Sequence, residues 1–229
     1  MSTKIKICGL TREEDIEAVN EFLPDYIGFI FAQKSRRYVT PGKAASLAAQ
    51  TAPQIRRAGV FVRAEISFIM EILGAGIIDV VQLHGQEEDS YVESLKQAAA
   101  SISLQNSGRK IEIVQAFPVL SEEDVRRAES SRADYILLDQ GPGGTGVCFD
   151  WKMAEHVSRP FFLAGGLNQD NVVEAIERTS PYAVDLSSGV ETDGLKDKVK
   201  IETIIRRIRN GKGQIRYPRR TVYTGNADE

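Results

Sequence analysis

Short apolar runs alternate along this chain with longer amphipathic stretches. The runs are rich in Val, Ile, Leu and Phe, and they predict eight strands, at residues 4–8, 25–31, 57–62, 78–84, 111–117, 133–139, 160–164 and 182–186. Their apolar residues are nearly continuous instead of alternating with polar ones. This is typical of parallel strands that are covered on both faces.

The amphipathic stretches between these runs predict helices. Residues 11–23 (TREEDIEAVNEFL) place Thr11 as an N-cap with Glu14 three positions later, and Ser121 and Asp124 repeat this pattern before the sixth strand. The stretch NQDNVVEAIER follows the seventh strand. Eight strand–helix units in 229 residues predict an α/β protein, a single-domain (β/α)₈ TIM barrel near its lower size limit. A doubly wound open sheet is the alternative.

No linker rich in Pro, Gly or Ser divides the chain, so we assign residues 1–211 to one barrel domain and 212–229 to a basic C-terminal tail. The polar segment 98–110 (AAASISLQNSGRK) predicts a lengthened connection between a helix and a strand. Residues 206–220 carry seven Lys and Arg and no acid. They are interpreted either as a solvated helix end with a frayed tail or as an anion-binding arm.

Composition and charge exclude several classes of protein. The net charge is −3 and 42% of residues are hydrophobic, which gives no reason to expect nucleic acid or a membrane as partner. The N-terminus has no apolar segment of a secretory signal, and no apolar run approaches the ~20 residues of a membrane span. Two cysteines provide neither a disulfide framework nor paired metal ligands. These features predict a cytoplasmic protein.

Polar residues at the strand ends are candidates for chemistry, because the active site of such a barrel lies at the carboxyl ends of its strands. Cys8 ends the first strand and Asp139 ends the sixth, so a thiol and a carboxyl would both lie at the barrel mouth. Together they could take and give a proton, as an isomerase requires. Lys6 lies on the same face of its strand as Cys8 and could lower the pKa of the thiol. The alternatives are a buried structural cysteine and an aspartate that caps a loop.

Glycine-rich turns end the last two strands. Gly165 and Gly166 follow strand seven, and Ser187, Ser188 and Gly189 follow strand eight. Small residues let backbone N–H groups approach an anion, and this corner of a barrel commonly binds phosphate. Tight turns that require glycine are the alternative.

Other motifs are less specific. Residues 141–146 have the GxGxxG spacing of a dinucleotide-binding loop, but they follow the sixth strand and lack the later acidic residue, so we expect an active-site lid there. Arg36 and Arg37 could bind a carboxylate or lie in a solvated turn. His84 could orient a ligand or cap a turn. With His156 expected on helix six, a histidine metal site is not expected.

Seven segments together resemble the phosphoribosylanthranilate isomerase family. They are KICGLT, GFIFAQKSRRYV, GVFV, VQLHG, LLD followed by GGTG and FDW, LAGGLNQDNV and VDLSSGVE, and the resemblance covers residues 4–208. It implies a (β/α)₈ barrel without metal or organic cofactor. It also implies conversion of N-(5'-phosphoribosyl)anthranilate, the small-molecule partner, to 1-(o-carboxyphenylamino)-1-deoxyribulose 5-phosphate by an Amadori rearrangement in tryptophan biosynthesis.

The resemblance also implies roles for individual residues. Asp139 is similar to the general acid that opens the furanose ring, and Cys8 to the general base that removes the C2' proton. Arg37 occupies the position that holds the anthranilate carboxylate. The phosphate-binding positions match Gly165, Gly166, Ser187, Ser188 and Gly189, and the pocket-lining positions match Lys6, His84 and Asp185.

Two departures from the family pattern stand out. Arg36 replaces a usual proline, so the two arginines could share or exchange the carboxylate contact, and Val147-Cys148 replace the usual residues of the lid. The rival enzyme is a histidine-pathway phosphoribosyl isomerase, which has an aspartate where Cys8 stands. A Schiff-base aldolase using Lys6 and a non-catalytic phosphosugar-binding barrel are two further rivals. The chain is expected to be a monomer or a homodimer.

Overall fold

Eight parallel strands close into one barrel in the computed structural model, which describes residues 2–105, 110–139 and 151–210. Each strand pairs with its neighbours in sequence order, and β1 pairs with β8 to complete the circle. The prediction of a (β/α)₈ barrel is therefore confirmed. Residues 141–146, Val147-Cys148 and the tail 212–229, for which predictions were made, lie outside the described residues.

The strands follow the predicted apolar runs closely. They are β1 Lys4–Cys8, β2 Tyr26–Ile30, β3 Arg56–Phe61, β4 Val80–Leu83, β5 Glu112–Pro118, β6 Tyr135–Asp139, β7 Phe161–Leu163 and β8 Ala183–Leu186. The first strand has the predicted bounds, and the others differ from them by one or two residues at their ends.

Seven α-helices lie within the described residues. They are α1 Glu13–Phe22, α2 Pro41–Gln50, α3 Ile66–Gly74, α4 Asp89–Gln105, α5 Glu122–Glu129, α6 Val172–Thr179 and α7 Lys198–Arg209. Between β6 and β7 the described residues form a short 3₁₀ helix, Trp151–Ala154, and His156 lies in the turn after it. The expectation that His156 belongs to a sixth α-helix is wrong.

Two local predictions are corrected and one is confirmed. Arg12, not Thr11, is the N-cap of α1. The Asp15 carboxylate accepts from the backbone N–H of both residues, and the helix begins at Glu13. Residues 98–105 continue α4, since their alanines are strong helix formers. The capping box of Ser121 and Asp124 forms as predicted.

Side chains alternate between two hydrophobic clusters on either side of the barrel wall. The outer cluster packs the strands against the helices and includes Ile5, Ile7, Ile27 and Phe29. The inner one fills the barrel with residues such as Phe162. Because strand residues alternate in direction, Lys6 and Cys8, which alternate along β1 with the outward-facing Ile5 and Ile7, project into the barrel.

Several contacts join the two ends of the described chain along the closing seam, the pairing of β1 with β8. Lys6 lies opposite Asp185 in this pairing, and the Ser187 hydroxyl donates to the Cys8 carbonyl at 3.0 Å. A hairpin after β8, formed by β9 (Glu191–Thr192) and β10 (Leu195–Lys196), lies beside it, and Arg12 donates to the Lys196 carbonyl.

No helix within the described residues is long and apolar enough to span a membrane.

Candidate active site

Cys8 lies buried at the mouth of the barrel, at the carboxyl end of β1. Gly28 on β2 makes room for it, since a Cβ at Gly28 would lie 2.6 Å from the Cys8 Sγ. Burial raises the pKa of the thiol above its ordinary value, although the positive charges of Lys6 and Lys196 act in the opposite direction. The sequence predicted that Lys6 would lower the pKa of the thiol, but it did not indicate how strongly burial would raise it. The sequence also did not indicate the role of Gly28.

Lys6 and Asp185 form a buried ion pair beneath the thiol. Lys6 Nζ lies 2.6 Å from Asp185 Oδ2, and Lys6 is only 1% exposed. Burial lowers the pKa of Lys6, but Asp185 and Cys8 outweigh it, and the net pKa lies above the ordinary value. Asp185 Oδ1 is buried without a hydrogen-bond partner among the described residues. Lys6 is therefore a fixed positive charge next to the thiol.

Asp139 and His84 meet across the barrel mouth. Asp139 ends β6 with a partly exposed side chain, and its Oδ2 lies 3.7 Å from His84 Nε2. On its other side, the His84 ring is 3.4 Å from Gln82 Nε2. The structure thus brings together two residues that the sequence placed on separate strands, and it adds Gln82, which the sequence did not single out.

Arg37 binds a carboxylate of the protein itself. Its Nε lies 2.6 Å from Glu191 Oε1 and its Nη2 lies 2.8 Å from Glu191 Oε2. The Arg36 Nη2 also donates to Glu191 Oε2, at 2.8 Å, but its side chain is 61% exposed against 18% for Arg37. Arg37 is held by a two-point contact toward the interior, whereas Arg36 approaches from the surface.

Glu191 and Lys196 were not singled out by sequence reasoning, although both are buried. Lys196 Nζ lies 2.6 Å from Glu191 Oε1 and donates to the Ser187 carbonyl at 3.0 Å. Burial raises the pKa of Glu191, but hydrogen bonds from Arg37 and Lys196 outweigh it and hold the pKa below its ordinary value. Glu191 is therefore a carboxylate. The sequence signals for Glu191 were its place two residues beyond Gly189 and its position at the end of the segment VDLSSGVE.

The turns after β7 and β8 form one corner of the mouth. Gly165 and Gly166 have φ of 88° and 66°, which side-chain-bearing residues rarely adopt. Gly189 touches the first turn, since a Cβ there would lie 1.9 Å from the Leu167 carbonyl oxygen. Ser188 begins a short 3₁₀ helix, Ser188–Val190. All five residues predicted for this corner lie in the two turns.

The side chains at the mouth have the composition of an acid–base site. In the described part of the chain, no three His, Cys, Asp or Glu side chains form a group that could hold a metal ion. A thiol, a carboxyl and several cations are instead gathered at the carboxyl ends of β1, β6 and β8. Such a set can move protons on a substrate that carries negative charges.

Known proteins similar to this chain agree with that chemistry. Residues 5–207 match a family model described as N-(5'phosphoribosyl)anthranilate (PRA) isomerase. A Clostridium acetobutylicum protein named N-(5'-phosphoribosyl)anthranilate isomerase is 41% identical over 217 residues, covering 91% of this chain and 99% of that protein.

Two solved structures are also similar, each 34% identical and each covering 91% of this chain and 99% of the other. One, with a TM-score of 0.77, shows monomers made from the dimeric phosphoribosylanthranilate isomerase of Thermotoga maritima. The other, with a TM-score of 0.75, is a phosphoribosyl anthranilate isomerase in complex with reduced 1-(o-carboxyphenylamino)-1-deoxyribulose 5-phosphate.

Proposed function

The chain belongs to the N-(5'-phosphoribosyl)anthranilate isomerase family, and on that premise we propose how its own residues carry out the reaction. The activity is the isomerisation of N-(5'-phosphoribosyl)anthranilate in tryptophan biosynthesis. The site favours this activity over the three rivals. Cys8 stands where a histidine-pathway isomerase has an aspartate, Lys6 is held as a buried cation by Asp185 instead of being a neutral amine ready to form a Schiff base, and an idle binder would not need an acid–base pair.

Asp139 is the general acid of this proposal. It gives its proton to the furanose ring oxygen as the C1'–O bond breaks, which leaves an open-chain Schiff base on the anthranilate nitrogen. Its position supports the role, because it is partly exposed at the mouth with His84 3.7 Å away. His84 orients the carboxyl group toward the substrate.

Cys8 is the general base. As a thiolate it removes the C2' proton of the Schiff base, and the electron pair moves into a C1'–C2' double bond to give an enolamine. The enolamine then tautomerises to the ketone product. Burial opposes the thiolate, so the positive charges of Lys6 and Lys196 are needed to stabilise it.

Two anion sites hold the substrate between these groups. Arg37 binds the anthranilate carboxylate, which its position in the interior supports over the more exposed Arg36. The turns that contain Gly165, Gly166, Ser187, Ser188 and Gly189 bind the phosphate through backbone N–H groups, and Asp185 lines the pocket between them. No metal or cofactor takes part in this proposal.

The observation that carries the proposal is the placement of Cys8 and Asp139 at one mouth. The test is the loss of anthranilate-type fluorescence after the substrate is made in situ from anthranilate and phosphoribosyl pyrophosphate with a transferase. We expect Cys8→Ser and Asp139→Asn each to lower kcat about 10²–10⁴-fold, because each removes a proton-transfer group. Asp134→Asn is the matched control, because Asp134 directly precedes the first residue of β6, at the end of the strand opposite to Asp139. Near-normal turnover in either site variant would contradict its role.

The carboxylate contact has its own test. Arg37→Ala should raise KM at least tenfold and Arg36→Ala much less, and the reverse order would assign the contact to Arg36. The chain is proposed to be a monomer or a homodimer, and the dimeric Thermotoga maritima relative favours the second. Sedimentation equilibrium distinguishes the two.

A further inference from the structure

Glu191 is a buried acid surrounded by cations. Its carboxylate, with a side chain only 4% exposed, accepts from Arg36, Arg37 and Lys196. Its backbone carbonyl accepts from Lys200 Nζ at 2.6 Å. Three positive side chains against one carboxylate leave an excess of positive charge beside the mouth, where a second anion can bind.

The geometry of Arg37 shows where that second anion would lie. Glu191 occupies the Nε and Nη2 edge of the guanidinium, and among the described residues Nη1 makes no hydrogen bond. The side-chain stem crosses Gly9, where a Cβ would lie 2.4 Å from Arg37 Cδ. Gly9 follows Cys8 directly, so the stem of Arg37 passes close to the base. Glu191 thus fixes one edge of the guanidinium and leaves the other for a ligand.

Glu191 is itself held from the far side. Lys196 Nζ donates to Glu191 Oε1 and to the Ser187 carbonyl, and the Lys196 carbonyl accepts from Arg12. Lys196 therefore ties the carboxylate to the end of β8, and the carboxylate in turn positions Arg37. This chain of contacts connects the phosphate corner to the carboxylate-binding arginine.

We propose that Glu191 is a positioning residue that confers selectivity for a substrate with an ortho carboxylate, acting through Arg37. The inference rests on the proposed contact between Arg37 and the anthranilate carboxylate. Glu191 does not touch the reacting atoms. It holds the guanidinium plane of Arg37 so that Nη1 faces the carboxylate of the substrate. The Arg37 side chain is therefore already ordered before the substrate binds, and binding does not have to offset that loss of rotamer entropy.

The sign of the effect separates this role from two simpler ones. If Glu191 acted only through its charge, removing it would increase the positive potential and tighten the binding of a carboxylate. If it only clamped the hairpin of β9 and β10, its loss would weaken all ligands alike. Positioning predicts weaker binding of the carboxylate ligand alone.

The experiment compares two inhibitors by calorimetry. One is reduced 1-(o-carboxyphenylamino)-1-deoxyribulose 5-phosphate, and the other is the same compound without the ring carboxyl group. In Glu191→Gln we expect affinity for the first to fall about tenfold, consistent with losing one hydrogen bond to a charged group, and affinity for the second to change less than twofold. Asp79→Asn is the matched control, because Asp79 holds Arg57 by the same two-point contact just before β4, at the opposite end of the barrel.

Two further variants keep the outcomes distinct. Arg37→Ala must lose the preference for the carboxylate inhibitor, and if it does not, the proposed contact of Arg37 fails. If Arg37→Ala loses it and Glu191→Gln keeps it, only the positioning role is overturned. Equal weakening of both inhibitors in Glu191→Gln would also overturn it. Glu191→Asp keeps the charge but withdraws it from Arg37, and it should show an intermediate loss if the glutamine variant fails to fold.

Discussion

Replacing Lys6 by methionine removes one partner of the buried ion pair inside the barrel. Methionine has a similar length and no charge, so the change leaves the volume nearly filled. Asp185 would then lose the contact at 2.6 Å while its second oxygen already has no hydrogen-bond partner among the described residues. The variant therefore isolates a carboxylate in the interior.

The expected loss of stability is large for a single substitution. Breaking a buried ion pair by removing one partner costs about 3–5 kcal/mol, because the remaining charge is neither solvated nor paired. This range applies here, since the side chain of Asp185, the charge that is left behind, is only 7% exposed. For a chain of this size that corresponds to a fall in Tm of roughly 6–20 °C. The double variant Lys6→Met/Asp185→Asn should recover at least half of the loss.

Chemical denaturation measures the free energy of unfolding directly. Circular dichroism and the fluorescence of the single tryptophan, Trp151, should give coincident transitions if unfolding is two-state. A loss below about 1 kcal/mol in Lys6→Met would refute the reasoning, as would a double variant that is less stable than the single one. The first result would mean that water or a shift of Asp185 compensates for the missing cation, and the second that the Asp185 carboxylate stabilises the barrel even without Lys6.

Three further predictions concern the mouth and one helix. Gly9→Ala should raise KM at least fivefold with less effect on kcat. The φ of Gly9 is 85°, and the new methyl group would displace the side-chain stem of Arg37. An unchanged KM in steady-state kinetics would contradict this. Alkylation of Cys8 by iodoacetamide, followed by peptide mass spectrometry, should be slower at pH 7.5 than alkylation of a free thiol. The rate should still increase with pH above pH ~8.5, because burial raises the pKa of the thiol. A rate that reaches its plateau near pH 7 would show a stabilised thiolate instead. Ser121→Ala should lower the free energy of unfolding by about 1 kcal/mol without changing kcat, since only the cap of α5 is lost; denaturation curves that match the unchanged protein would contradict a stabilising cap.

The strands and the strand-end residues could be predicted because they depend on local pattern and on symmetry. Buried parallel strands need continuous apolar runs, and closing them in order brings their carboxyl ends to one mouth. Cys8 and Asp139, 131 positions apart in the chain, could therefore be placed at the same end of the barrel from the sequence alone. The N-cap at Arg12 and the extension of α4 through Gln105 depend on competing local contacts, and the pattern did not decide them.

The contacts of Glu191 with Arg36 and Arg37 could not be predicted, because the two segments are distant in the chain. Glu191 and Arg37 are separated by 154 positions, and a glutamate in a short polar stretch gives no signal of burial. The raised pKa of Cys8 also escaped prediction, since the balance between burial and nearby cations depends on distances in the folded barrel. Sequence identified the groups, and packing decides their charge states.

The closing seam has a consequence for the chain as it leaves the ribosome. Lys6 and Asp185, like Cys8 and Ser187, are 179 positions apart. In a nascent chain that has exposed only the first seven strands, Cys8 lies on a strand whose β8 side is unpaired. Asp185, which pairs with Lys6, and Ser187, whose hydroxyl donates to the Cys8 carbonyl, are then both missing. Synthesis of nearly the whole barrel must therefore precede assembly of the surroundings of Cys8, and a product truncated before β8 lacks these contacts.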